Sequence, residues 1–209
     1  MVLTNPLLTA FSDTARAEAP ILEAALEQFA LTGVRRTSID DIARRAGVNR
    51  ATLYRRLGTK DAIVRAAFLY EAGRVLSAID TELGDPTTCD DGPDGFIERF
   101  FVITVTMLRS NRLLQQLLAV DRDETLRALT VGAADVLEVS SQYLAGQIHR
   151  IREHTAGSTD AAEIAAISGM LARLTQSLLV TPDGPPPTRT EDEMRRFARA
   201  VLVPMLLGR

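Results

Sequence analysis

The chain has 209 residues, 46% of them hydrophobic and 24% charged, with a formal net charge of −3. That length suffices for one or two buried cores, and no stretch reaches the roughly 18 consecutive apolar residues of a membrane-spanning helix. The lone Cys89 excludes an internal disulfide, fits a reducing cytoplasm and carries no sign of a catalytic thiol. The mild acidity conceals a strong asymmetry. Residues 35–60 hold eight basic residues against Asp40 and Asp41, a local balance of +6, whereas residues 61–209 hold 15 basic and 21 acidic ones. An anionic partner such as nucleic acid is therefore expected at the N-terminal end and nowhere else.

In chain order, Met1 to Phe11 is moderately apolar, but it lacks a preceding basic residue and is interrupted by Asn5-Pro6. It reads as part of a flexible arm over residues 1–19 and not as a signal peptide. Residues 38–60 then contain two short helix patterns around a tight turn at Ala46-Gly47-Val48-Asn49, the layout of a helix-turn-helix. Ser38 and Asp41 form a capping-box-like start, and Ile39, Ile42, Ala43 and Ala46 give one apolar face. Gly47 stands where the chain reverses, and Asn49 suits the N-cap of the next helix. Val48 and Leu53 can pack beneath that second helix. Arg50, Ala51, Thr52, Tyr54, Arg55 and Arg56 are left to face outwards, and Thr59 caps a third helix with Lys60 in its first turn.

The stretch from Pro20 to Ile63 resembles the DNA-binding domain of the TetR family of transcriptional repressors. The matching residues are the run Ile21 to Ala30, Gly33, Thr37-Ser38, Asp41-Ile42-Ala43, Ala46-Gly47-Val48, Thr52-Leu53-Tyr54 and Lys60-Asp61. Leu57 stands where the family usually has phenylalanine and Ala51 where glycine is frequent. The resemblance implies that Ser38, Thr52, Tyr54 and Lys60 contact phosphates while Arg50, Ala51 and Arg55 lie near base edges. It also implies an all-α chain: an N-terminal three-helix DNA-binding domain with a helix-turn-helix over 20–64, followed by a helical ligand-binding and dimerisation domain over 65–209.

Beyond the motif, a helical pattern runs from Thr59 to about Leu83, and Gly84-Asp85-Pro86 opens a loop that lasts to Gly95. Ile97, Phe101, Thr104, Val105 and Leu108 recur at helical spacing, so Phe96 to Leu108 reads as a helix despite its β-branched residues. A short helix is expected over Leu113–Val120, one long helix from Glu124 to about His154, and two more over about 159–180 and 191–207. The Pro-rich segment Thr181 to Pro187 separates the last two. Their apolar surface is broader than one buried stripe needs, including Ile167, Met170, Leu171, Leu174, Leu178, Phe197 and Val201. Either both helices finish the monomer's core, or, as the resemblance implies, they form a homodimer interface packed as a four-helix bundle.

No catalytic constellation is present, and the chain does not read as an enzyme. His149 and His154 do not share a helical face or form a zinc motif, the acidic residues around Asp90-Asp91 lack calcium-loop spacing, and Ser140-Ser141 lacks nucleophile-elbow glycines. No metal or cofactor is expected. Phe68, Phe100, Thr104, Met107, Gln115, Leu118 and Tyr143 fall on helices that the resemblance places around an effector cavity, with Thr104, Gln115 and Tyr143 as orienting polar groups. The expected partners are a double-stranded DNA operator, a small, largely apolar effector and a second copy of the chain, with no membrane. A helical module whose helix-turn-helix docks a protein is the other function these residues allow.

Overall fold

A computed structural model describes residues 6–85, 91–155 and 157–208, and side chains from Ala17 onward; Cys89 and Asp90 lie outside the described residues. Every regular element among the described residues is helical. In chain order these are α1 (Pro6–Thr32), α2 (Ile39–Ala46), α3 (Arg50–Leu57), α4 (Lys60–Leu83), α5 (Gly92–Arg109), α6 (Arg112–Val120), α7 (Arg122–Leu129), α8 (Ala134–His154), α9 (Ala161–Val180), α10 (Glu191–Phe197) and α11 (Val203–Leu207). A π-helical turn, Ala198–Leu202, joins the last two. No described helix is long and apolar enough to cross a membrane.

Three elements differ from expectation for identifiable reasons. The N-terminal segment expected as an arm is helical from Pro6, because Ala15-Arg16-Ala17-Glu18-Ala19 favours a helix and Pro20 removes only one amide from it. The long helix expected from Glu124 to His154 is broken at Thr130-Val131-Gly132. There Thr130 turns its hydroxyl back onto Leu126 O at 2.7 Å, and the amide of Gly132 returns to Arg127 O at 2.9 Å. Two β-branched residues followed by glycine make such a stop easy. The last helix changes register before Pro204, which has no amide to donate; the Val203 amide reaches back five residues to Ala198 O. α5 also starts earlier than expected, at Gly92, since Pro93 sits in its first turn.

The described residues pack as two compact units, one from residues up to 74 with 110–136, the other from 75–109 with 137–209. In the first unit Ile21, Leu26, Phe29, Ile42, Leu53 and Ile63 form a buried core, joined by Leu117 of α6. Thus α6 and α7, which the sequence groups with the C-terminal part, pack with the helix-turn-helix, α6 resting on α1. In the second unit α5 is central, packing against α9, α10, the π turn and α11. Phe96, Phe101, Ile148, Leu171, Leu178 and Leu202 belong to its core.

Candidate nucleic-acid interface

The helix-turn-helix is built from caps. The Asp41 amide donates to Ser38 Oγ at 3.1 Å, and Asp41 Oδ2 accepts from the Ser38 amide at 3.0 Å and from its hydroxyl at 2.6 Å. The Ser38 hydroxyl, then its amide, holds the Asp41 carboxyl below the usual carboxylate range. At the turn Gly47 takes φ 67°, a left-handed conformation that side chains disfavour, and the Val48 amide donates to Ala43 O at 3.0 Å. Asn49 Oδ1 then accepts from the Thr52 amide at 2.7 Å and starts α3.

Leu53 is wholly buried beneath α3 and fixes its rotation. Arg50, Ala51, Tyr54, Arg55 and Arg56 are exposed and Thr52 is half-buried, so one helix turns a short, cationic face to solvent. Arg50 is held: Nη1 donates to Asp40 Oδ2 at 2.9 Å and Nη2 donates to Tyr54 OH at 3.3 Å. The bond to Tyr54, then the charge of Asp40, raises the Arg50 pKa above its ordinary value. Arg56 turns back toward α1, 3.6 Å from the Glu18 carboxylate. Lys60 Nζ donates to Arg35 O at 3.1 Å, and the Ser38 hydroxyl is exposed but engaged by Asp41.

Neighbouring elements lock this surface in place. Arg45 bonds Glu27 and Gln28 of α1, each at 3.0 Å, pinning α2 to α1. The loop after α1 is clamped by Asp121, whose Oδ2 accepts from the Arg35 amide at 2.9 Å. Asp121 crowds Gly33 so closely that a Cβ there would lie 2.9 Å from its side chain, and Gly33 also has φ 86°. Neither Asp121 nor Asp40 carries a motif signal; both become visible only when separate helices are brought together.

The expected effector residues divide between the units. Phe68 packs on the core of the first, where Gln115 is exposed and Leu118 half-buried. In the second, the Phe100 and Tyr143 rings lie 6.3 Å apart, Met107 is half-buried, and Thr104 has a buried hydroxyl without a hydrogen-bond partner among the described residues. Tyr143 donates to Asp80 Oδ1 at 3.1 Å, and Gln147 Nε2 donates to the same oxygen at 2.8 Å. Burial, then the Asp80 charge, pushes the Tyr143 phenol far above its ordinary range, so it remains a donor.

The residues expected at a dimer interface also separate. Leu171 and Leu178 are 7% and 3% exposed, part of the core within one chain, and so cannot form a surface for a second copy. Both lie on the buried side of α9, which packs against α5. Ile167, Leu174 and Phe197 are half-buried against the same core, while Met170 at 49% and Val201 at 45% remain exposed.

An all-α chain whose capped, cationic helix-turn-helix shares one buried core with α1, α4 and α6 has the architecture of a DNA-binding regulator. Residues 21–67 match the family described as bacterial regulatory proteins, tetR family. Residues 21–67 thus form a domain of the tetR-family type within an all-α chain. A comparison with curated proteins found no match. Among solved structures, the chain is similar to the TetR family repressor AlkX from Dietzia sp., implicated in biodegradation of n-alkanes, with 19% identity, TM-score 0.65, and 90% of this chain and 94% of that one covered. It is also similar to the R. erythropolis transcriptional repressor QsdR at 17% identity and TM-score 0.64, covering 91% and 94%. A third is a TetR-family regulator structure from Mesorhizobium loti at 21% identity and TM-score 0.57, covering 94% and 97%.

Proposed function

We propose that the chain is a repressor that binds a near-palindromic operator as a homodimer and leaves it when a small, largely apolar effector binds. The observation that carries the DNA-binding part is the outer face of α3, where Arg50, Ala51, Tyr54 and Arg55 stand exposed over a buried Leu53 within the +6 segment. Small side chains at its start let the backbone approach a groove, and the arginines offer donors to base edges. The repressor reading accords with the descriptions of AlkX and QsdR.

Counterion release makes affinity fall steeply with salt. Lys60→Ala then weakens binding to every duplex alike and Tyr54→Phe weakens it on all duplexes, whereas Arg55→Ala changes preference by about 1–3 kcal/mol at one base pair. Band-shift titrations that find no duplex binding at low salt would refute this and favour a protein partner for the helix-turn-helix. For the second copy, the exposed Met170 and Val201, with Ile167, Leu174 and Phe197 beside them, support a contact through α9 and the helices after residue 190.

The effector reading is supported by the contact of the Phe100 and Tyr143 rings and by the buried Thr104 hydroxyl, one turn along α5 from Phe100, which has no hydrogen-bond partner among the described residues: aromatic rings beside an open hydrogen-bonding group suit an apolar molecule bearing one polar function. Because coupling is reciprocal, an effector that weakens operator binding tenfold binds the DNA complex tenfold less tightly, about 1.4 kcal/mol. Thr104→Val and Tyr143→Phe lower effector affinity and leave effector-free DNA binding unchanged. An inducer screen in which no compound shifts both melting temperature and DNA affinity would remove this part of the reading.

A further inference from the structure

Arg50 opens α3, where a long side chain would ordinarily sweep through many rotamers before meeting DNA. Here two elements restrain it. Asp40, on α2, accepts from Nη1 at 2.9 Å, and Tyr54, one turn further along α3, accepts from Nη2 at 3.3 Å with Cζ 5.4 Å from its ring centre. The Arg50 and Asp40 side chains are 57% and 54% exposed, and an ion pair so open to water contributes little to folding. A carboxylate on a surface facing DNA also repels phosphate. What Asp40 supplies is orientation: the guanidinium is planar and presents its donors in a rigid fork, so fixing two of its N–H groups fixes the direction of the others.

We propose that Asp40 is a positioning residue for sequence reading, holding the Arg50 guanidinium, with Tyr54 as the second brace, so that its remaining N–H groups meet the acceptor edge of one base pair in each half-site. This inference rests on the DNA-binding function proposed above. The edge that matches a guanidinium fork is guanine O6 and N7 in the major groove. Pre-set geometry raises discrimination because the correct base is met without an ordering cost and the wrong base finds donors already aimed elsewhere.

The test is selection of bound duplexes from a random pool, then competition band shifts over every single-base-pair change in the selected site. Arg50→Ala is expected to erase preference at one position per half-site. Asp40→Ala should reduce discrimination at that same position by about three- to tenfold, a part of what a bidentate contact provides. It should leave the other positions unchanged and tighten binding to unrelated duplex about twofold by removing a negative charge. Asp40→Asn, whose amide oxygen still accepts a hydrogen bond, should recover part of the loss, and Tyr54→Phe should add a smaller loss at that position to its uniform weakening. Melting curves matching the unsubstituted protein show that the variants are folded. Unchanged or sharper discrimination in Asp40→Ala would overturn the proposal, as would a loss spread evenly over all positions. A wild-type protein that enriches no sequence would overturn the DNA-binding reading itself, whereas one that enriches a motif indifferent to Asp40 would overturn only this inference.

Discussion

In α3 one buried residue, Leu53, anchors a short helix whose other faces are polar or open. In α9, Ile164, Leu171, Ala172 and Leu178 enter the core while Met170 stays half exposed among Ala165, Ala166 and Gly169. Both are amphipathic in the broad sense, yet they assign their surfaces differently. In α3 the contrast between Leu53 and its charged neighbours leaves one way to face inward. In α9 the apolar residues run nearly all round, so the neighbour α5 chooses the buried side. A strongly polar helix reports its own orientation, whereas a broadly apolar one takes its orientation from what it meets.

Substitutions can break or sharpen that contrast. The largest effect is expected in the second unit, from Arg152→Ala. Arg152 is fully buried and donates to Leu206 O at 2.8 Å, Ser158 O at 2.9 Å and Glu163 at 2.9 Å, tying the ends of α8, α9 and α11 together. Its loss leaves buried carbonyls unpaired and should cost about 3–5 kcal/mol in denaturant unfolding. Next come Leu53→Ala and Leu178→Ala, each about 2–5 kcal/mol, the former abolishing duplex binding at temperatures where the latter preserves it. Equal loss of binding in both would mean that α3 is not oriented by Leu53 alone.

Charges on α9 and the π turn separate the core from the proposed interface. Met170→Glu and Val201→Glu should leave the stability of the single chain within about 0.5 kcal/mol while light scattering reports monomers. If either instead unfolds the chain, the division of that surface into inner and outer sides is wrong. Removing the α3 cap with Asn49→Ala should cost about 1 kcal/mol, with DNA affinity falling alongside. The smallest effect is that of Asp41. Because its folded pKa lies below its unfolded value, its contribution is full above the unfolded range, about pH 4, and disappears as pH falls through the lower folded value. Asp41→Asn should therefore be less stable than the unsubstituted protein at neutral pH and converge with it in acid, as thermal melts across pH would register.

The helix-turn-helix was legible residue by residue because its signals are local. Ser38, Asp41, Gly47 and Asn49 act on backbone groups within a few positions, and each sits as its chemistry requires. The stop at Thr130-Val131-Gly132 was missed because a single glycine in a helical pattern is tolerated unless side-chain and backbone bonds combine to end the helix there. The buried role of Arg152 left no trace in composition, where it is one arginine among many; its partners are carbonyls more than fifty residues away in two cases.

The sequence by itself determined that the chain is all-helical, that residues 38–60 form a capped helix-turn-helix, and that its cationic face is the outward one. Caps, turn residues and strong polar contrast are short-range, so they need no knowledge of the neighbours. Tertiary structure alone decided that α6 and Asp121 pack with the helix-turn-helix unit, that Leu171 and Leu178 lie inside while Met170 and Val201 lie outside, and that Asp40 meets Arg50. These outcomes depend on which surfaces of distant segments come together, and burial is a property of that meeting, not of any one residue.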